Sequence, residues 1–406
     1  MTKNNGKITK MYPFKDRFAK RIENIPSVIV SKIAKIDELK GQWITGARLS
    51  PQVLGRLKRS VLITSTGAST RIEGSRLSDE DIEKLMKGIN IRKFTNRDEA
   101  PTTLRSGFHS NTSLGVKSLR SRKSSHSFPI LRSGFSTKGD KQEAQGYYEL
   151  LENVFNSCES LKFNESAVKH FHKELLKYVE KDKEHRGEYK KSENKVHMID
   201  EAGNSVGILF DTTLAYLAPI QMQELVEWTM KALSENKCHP LLVIGNFLVE
   251  FLKIHPFSDG NGRLSRVLTN MLLLQNGYLY MPYISHEKLV EDNKPDYYIA
   301  LRRSQKTMGT NKESIVPWLD FFFDITLKQS QMAIELLSKE NIEKILSEKQ
   351  LLVWQYIKKV KETSIRDIAE NIEVARPTVK QATNVLLKLK KIERIGLGRS
   401  ARYKKT

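Results

Sequence analysis

The 406-residue chain carries 68 Lys and Arg against 47 Asp and Glu, a formal net charge of +21. Its 39% hydrophobic and 28% charged residues suit a folded protein of two or three domains, and no apolar run reaches the ~20 residues of a membrane span. Two cysteines, Cys158 and Cys238, exclude a disulfide framework and a cysteine zinc site. The basic excess favours an anionic partner, and it concentrates at 101–139 and after 360.

The first residues, MTKNNGKITKMYPF, lack an apolar core, so a cytoplasmic location is expected and no membrane. Ile22, Ile25, Ile29, Ile33, Ile36 and Leu39 give 15–45 a helical pattern broken at Pro26. Ser50 and Pro51 open a second helix, and Ser78 with Asp79, Glu80 and Asp81 a third. Between them, Ser69 and Glu73 are four apart and share a helix face, and Gly74 suits its end. The whole of 1–100 reads as an N-terminal helical region.

Residues 101–140 look foreign. The segment 101–139 is rich in Ser, Arg and Lys, contains no acid, and repeats LRSGF at 104–108 and 131–135. With neither helical nor strand periodicity, it is expected to be a disordered basic insertion. The alternative is a basic arm for nucleic acid. Helical patterning resumes from Glu143 and again over 165–180. Over 186–210, Glu193-Asn194 and Ala202-Gly203-Asn204 break short strand-like pieces, which predicts a β-hairpin. Helices are expected over 219–236, 239–254, from Asp296 onward, and over 314–337.

The richest stretch is His255 to Arg266, HPFSDGNGRLSR, between two apolar runs. Pro256 stops one helix, and Gly260 and Gly262 permit a tight loop before the next. Backbone N–H groups of 259–263 then lie at a helix start, where free donors and the macrodipole favour an anion. Arg263 and Arg266 share one face near that first turn, a pair suited to a polyphosphate. Asp259 could hold Mg2+ against such phosphates, and His255 is the one group there able to take a proton near neutral pH. A base beside a phosphate cradle implies a hydroxyl activated to attack phosphorus. The plainer alternative is a loop whose arginines pair with acids and whose histidine caps a helix.

After about 340 the character changes. LLVWQYIKKV, SIRDIAENI and RPTVKQATNVLLKLKKI read as three helices, and ERIGLGRSARYKKT as two strands around a Gly-x-Gly turn. The pattern over 341–406 resembles a winged helix-turn-helix, with 12 basic against 5 acidic residues over 361–406. In such a fold Arg376, Thr378, Lys380 and Gln381 sit at the start of the third helix, where they would meet DNA bases. Arg399, Arg402 and Lys404 in the wing would neutralise phosphates. The alternative use is dimerisation or target docking.

HPFSDGNGRLSR matches every fixed position of the Fic motif, H-P-F-x-D/E-G-N-G-R-x-x-R. The chain thus resembles the Fic (Fido) family. The resemblance implies a mainly α fold over 141–338: a helical bundle with a β-hairpin flap, here followed by the small winged domain. It implies a protein adenylyltransferase that moves AMP from ATP to a Ser, Thr or Tyr hydroxyl of a target protein. In that role His255 is the base, Asp259 binds Mg2+, and Gly260, Asn261 and Gly262 form the anion hole. Arg263 and Arg266 hold outer phosphates, and Phe257 anchors the loop. Ser69, Glu73 and Gly74 resemble the family's inhibitory S/T-x-x-x-E-G/N helix, whose glutamate pairs with the second arginine, Arg266 here. The same glutamate positions water for AMP removal in some relatives. Val196 and Met198 would contact the target from the flap, and Tyr297 and Tyr298 would line the adenine. A homodimer stays open. The competing class is a DNA-binding transcriptional regulator whose core only senses nucleotide.

Overall fold

A computed structural model describes residues 14–46, 51–95, 138–199, 205–389, 391–396 and 401–406. Fifteen helices occur among them: α1 (Phe14–Lys20), α2 (Ser27–Gly46), α3 (Pro51–Ile72), α4 (Asp79–Thr95), α5 (Lys138–Ser157), α6 (Glu165–Leu175), α7 (Ala218–Glu235), α8 (Pro240–Ile254), α9 (Asn261–Gln275), α10 (His286–Asp292), α11 (Lys294–Gln305), α12 (Val316–Ile345), α13 (Glu348–Lys359), α14 (Ile365–Asn371) and α15 (Arg376–Lys388). Strands β1 (Lys195–Ile199) and β2 (Ser205–Asp211) pair antiparallel, as do β3 (Ile392–Ile395) and β4 (Arg402–Lys405). The mainly α expectation therefore holds, hairpin included. The insertion lies outside the described residues as far as 137, and from Lys138 the chain is helical. Among the described residues no helix is long and apolar enough to cross a membrane.

The chain forms two compact units, one holding 1–44 and 50–330, the other 45–49 and 331–406. In the first, α8 and α9 are the centre. Nearly every side chain of both is buried, which marks helices enclosed on all sides rather than surface helices with one apolar stripe. Two glycines set the spacing around them. A Cβ on Gly146 of α5 would lie 2.1 Å from the Leu175 carbonyl oxygen of α6. One on Gly245 of α8 would lie 2.6 Å from Leu319 Cδ2, where Trp318 Nε1–H donates to the Gly245 carbonyl at 2.8 Å. Local signals fix several helix ends. Ser78 and Asp81 exchange bonds of 3.1 Å in a capping box that starts α4. Pro240 occupies the first position of α8.

The hairpin β1–β2 rises between α6 and α7, with Val196 opposite Phe210 and Met198 opposite Gly207. Register shifts fall between Val196 and His197 and between Met198 and Ile199, and such irregularities bend a ribbon. In the second unit, Val353, Trp354, Ile357, Ile368, Val379, Leu386, Ile392 and Tyr403 form a core joining α13, α14, α15 and the β3–β4 hairpin. Ser364 and Asp367 cap α14, and Pro377 lies in the first turn of α15.

Candidate active site

The site begins where α8 ends. His255 is the C-cap, in the left-handed region at φ 49°, a conformation that costs a side chain ~1 kcal/mol. Its N–H donates to Phe251 O at 2.9 Å. Nδ1 lies 3.3 Å from Leu252 O; a carbonyl only accepts, so the proton sits on Nδ1 and Nε2 carries a free lone pair. Burial pushes the imidazole down to about 4, with the charge of Lys190 acting the same way. At neutral pH His255 is therefore unprotonated, in the tautomer a general base needs.

The loop that follows is fastened from several sides. Phe257 is fully buried and stacks on His172 at 3.8 Å and 7°, with Tyr189 tilted against it at 5.3 Å. His172 Nε2–H donates to the Asp259 carbonyl at 3.0 Å, and its Nδ1 accepts the Gly187 N–H at 2.9 Å. Burial holds that ring neutral by pushing it down to about 4. Asn261 spends its side chain inside the loop: Oδ1 accepts from Phe257 N at 3.0 Å and Nδ2 donates to Phe257 O at 2.7 Å. The Asn261 amide thus shapes the turn, and only its backbone N–H is left for the expected anion hole. Gly260, at φ 78°, caps α9. The following N–H groups head that helix, where no earlier turn accepts from them.

Three carboxylates meet the two arginines. Arg263 Nη1 lies 2.8 Å from Glu143 and Nη2 3.1 Å from Asp259. Asp259 Oδ1 also accepts the Gly260 N–H at 2.6 Å, and Oδ2 faces Lys181 Nζ at 3.5 Å. Burial alone would raise the Asp259 carboxyl, but Arg263, Lys181 and that N–H hold it below the usual range. Arg266 reaches back to the end of α3. Its Nε donates to Ser69 Oγ at 2.8 Å, and its Nη2 to Ser69 O at 3.0 Å and to Glu73 Oε1 at 2.7 Å. Arg266 Nη1 is buried without a hydrogen-bond partner among the described residues. Gly74, at φ 98°, turns the chain away just after Glu73. A Cβ on Gly262 would lie 2.2 Å from Glu73 Oε1. A carboxylate therefore already rests against the start of α9 and on Arg266, in the place where an anion belongs.

The plainer alternative is met in part: both arginines pair with acids, and His255 does cap a helix. Those pairs, however, converge on one site. Sequence reasoning missed Glu143, His172, Lys181 and Lys190, whose roles rest on contacts far along the chain and leave no local signature. The two tyrosines separate. Tyr297 is buried, packed edge-on against Trp318 and Phe321, so its ring has no open face for a base. Tyr298, half-buried beside it, keeps that possibility. Val196 and Met198 lie two apart on β1, but their side chains fall outside the described residues. Arg399 lies outside them altogether. Arg376, Lys380 and Gln381 are exposed on α15 and Thr378 is half-buried. Arg376 pairs with Glu370 at 3.2 Å, Arg402 with Asp367 at 2.9 Å and Lys404 with Glu393 at 2.6 Å.

Comparison with known proteins places this geometry. Residues 162–273 match the model of the Fic/DOC family, so the chain carries a Fic/DOC domain. It is 33% identical over 109 residues to a protein adenylyltransferase Fic of Drosophila mojavensis, covering 27% of this chain and 19% of that protein. It is 30% identical over 100 residues to a probable protein adenylyltransferase of Aquifex aeolicus, covering 25% and 28%. The chain thus spans under a third of either relative. Among solved structures, a Fic family protein from Desulfovibrio desulfuricans aligns with a TM-score of 0.54 at 20% identity, covering 94% of this chain and 97% of that one. A Fic-domain signalling protein from Bacteroides thetaiotaomicron aligns at 0.52 and 19%, covering 75% and 97%. These structures speak to the fold.

Proposed function

We propose that the chain is a protein adenylyltransferase that moves AMP from ATP to a side-chain hydroxyl of a target protein and is held back by Glu73. One observation carries the reading: the Glu73 carboxylate sits on Arg266 and against Gly262, at a helix start beside an unprotonated imidazole. The names of the Drosophila and Aquifex relatives support the same activity.

In the reaction His255 Nε2 takes the proton of the target hydroxyl as its oxygen bonds to the α-phosphorus. The bond from that phosphorus to the bridging oxygen breaks, and pyrophosphate leaves. N–H groups at the start of α9 meet the charge on the α-phosphoryl oxygens, where each preorganised donor is worth ~3 kcal/mol. Arg263 and Arg266, freed from their carboxylates, hold the outer phosphates. The flap β1–β2 lines up the target's backbone by strand addition, and Tyr298 rather than Tyr297 flanks the adenine. Asp259 is the carboxylate of the loop that would hold magnesium, its Oδ2 carrying only the long contact to Lys181 Nζ at 3.5 Å. Such a site needs phosphate oxygens and water as further ligands, and the ion when bound offsets charge on the departing pyrophosphate. Glu73 could also orient water for AMP removal.

The test is His255→Ala with labelled ATP. Transfer should be lost while ATP binding stays as in the wild type. Labelling at the wild-type rate would refute the assignment.

A second reading concerns 341–406. The exposed Arg376, Lys380 and Gln381 on α15, beside the β3–β4 hairpin, fit a winged helix-turn-helix that lays α15 in a major groove. DNA phosphates would have to displace the carboxylates now paired with Arg376, Arg402 and Lys404. A gel shift at two salt concentrations decides it: binding must weaken as salt rises.

A further inference from the structure

Lys190 has a setting that the reaction above leaves unused. It is 3% exposed, and its ammonium makes no ion pair among the described residues, although the charge of Glu193 bears on it favourably and that of Lys253 unfavourably. Burying an ammonium without a counter-ion is costly, and burial accordingly pushes it down to about 8. What it has is three neutral oxygens. Nζ donates to Asn194 Oδ1 at 2.8 Å, to Thr212 Oγ1 at 2.9 Å and to Ile254 O at 3.1 Å.

Those acceptors come from three places that must be held together. Asn194 precedes β1, and Thr212 follows β2, so they are the two roots of the hairpin. Ile254 is the last residue of α8, next to the left-handed His255. Neighbouring bonds repeat the connection. Lys190 N–H donates to Pro256 O at 2.8 Å, Asn194 Nδ2 to Phe257 O at 2.9 Å, and Thr213 N–H to Lys253 O at 3.1 Å. Thr212 Oγ1 closes the roots on each other through Asn194 O at 2.7 Å. An ammonium suits this junction because its three protons point to separate acceptors and its charge complements the carbonyl end of α8.

We propose that Lys190 is a positioning residue that couples the hairpin to the base, holding both hairpin roots on the residue that precedes His255. Any movement of the hairpin as a target strand adds to it is then transmitted to the backbone that aims the imidazole. The inference rests on the adenylyltransferase reading for its purpose, but not for its geometry. The charge has a second effect. The charged groups bearing on His255 are Lys190, which disfavours its protonation, and Glu73 and Asp259, which favour it. Lys190 thus helps keep the base free.

The test uses the full chain without nucleotide, isotope-labelled at histidine, in wild type, Lys190→Met, Lys190→Gln and Lys190→Arg. Amide exchange at 191–194 and 212–213 should quicken ~10-fold or more in Lys190→Met, with α9 and α12 unchanged. The His255 imidazole should titrate at higher pH in both Lys190→Met and Lys190→Gln, and near the wild-type position in Lys190→Arg. A merely structural lysine would not move that titration. If Lys190→Met unfolds, Lys190→Gln decides on the titration alone. Unchanged exchange and titration in the neutral variants would overturn the proposal. Absence of AMP transfer in wild type would sink the adenylyltransferase reading and leave both measurements untouched.

Discussion

Replacing Glu73 by glycine should weaken the fold and, on the adenylyltransferase reading, raise AMP transfer. The bond removed joins Glu73 Oε1 to Arg266 Nη2 at 2.7 Å. At an effective dielectric of about 20, two unit charges at that separation attract by ~6 kcal/mol. The side chains are 36% and 4% exposed, so solvent screens one partner, and the net value falls to ~2 kcal/mol, the range of a charge-assisted hydrogen bond. Arg266 keeps Ser69 Oγ and Ser69 O, so the guanidinium is not stranded. Without nucleotide the melting temperature should fall by a few degrees, roughly what ~2 kcal/mol does in a fold of this size. With MgATP the order should reverse, because the emptied seat admits phosphate and saturating ligand returns ~3 kcal/mol at a hundredfold excess over Kd. Labelled AMP on the chain itself should rise ~10-fold or more, equivalent to ~1.4 kcal/mol in the barrier. The assay is a thermal melt with and without MgATP, paired with radiolabelled transfer. Equal MgATP shifts and equal labelling in wild type and variant would refute the argument.

Acid should unfold the first unit early. His172 and His255 are pushed down to about 4 when folded, so between about 6.5 and 4 the unfolded chain binds protons that the native chain does not. Their stabilisation is complete above about 6.5 and is lost as pH falls through about 4, at up to ~1.4 kcal/mol per pH unit for each group. Urea midpoints at several pH values check this, and His172→Phe should flatten the slope, leaving the shares of His255 and His286, which burial also pushes down. Gly146→Ala should cost ~3 kcal/mol, since the added methyl meets the Leu175 carbonyl, which cannot rotate aside. Gly55→Ala, with nothing within 4 Å, is the control and should gain ~0.5–1 kcal/mol in a urea titration.

Much of the helical framework was legible because its signals act over one turn. Ser78 with Asp81, Pro240, Pro377 and the left-handed Gly260 and Gly74 each impose a local conformation that tertiary packing had no cause to override. The short helix α10 went unread, although Ser285 caps it by accepting from Lys288 N–H at 3.0 Å. Its seven residues are too few for a hydrophobic period to stand out. Tyr297 could not be placed from sequence for a related reason. An aromatic near a site looks the same in sequence whether it faces a ligand or, as here, Trp318 and Phe321.

The chemistry of the site was written in twelve consecutive residues, since a base, an acid, glycines and two arginines within one loop must remain near each other however the chain folds. What surrounds that loop was not, apart from Glu73, whose pairing with Arg266 was expected only through the resemblance to the inhibitory helix. Glu73 and Arg266 are 193 positions apart, His172 and Asp259 87, Lys190 and Ile254 64. Bringing such groups together costs loop-closure entropy that no local preference repays. Burial of α8 and α9 within the bundle repays it, and only the assembled core decides which groups come to lie beside Arg266 and His255.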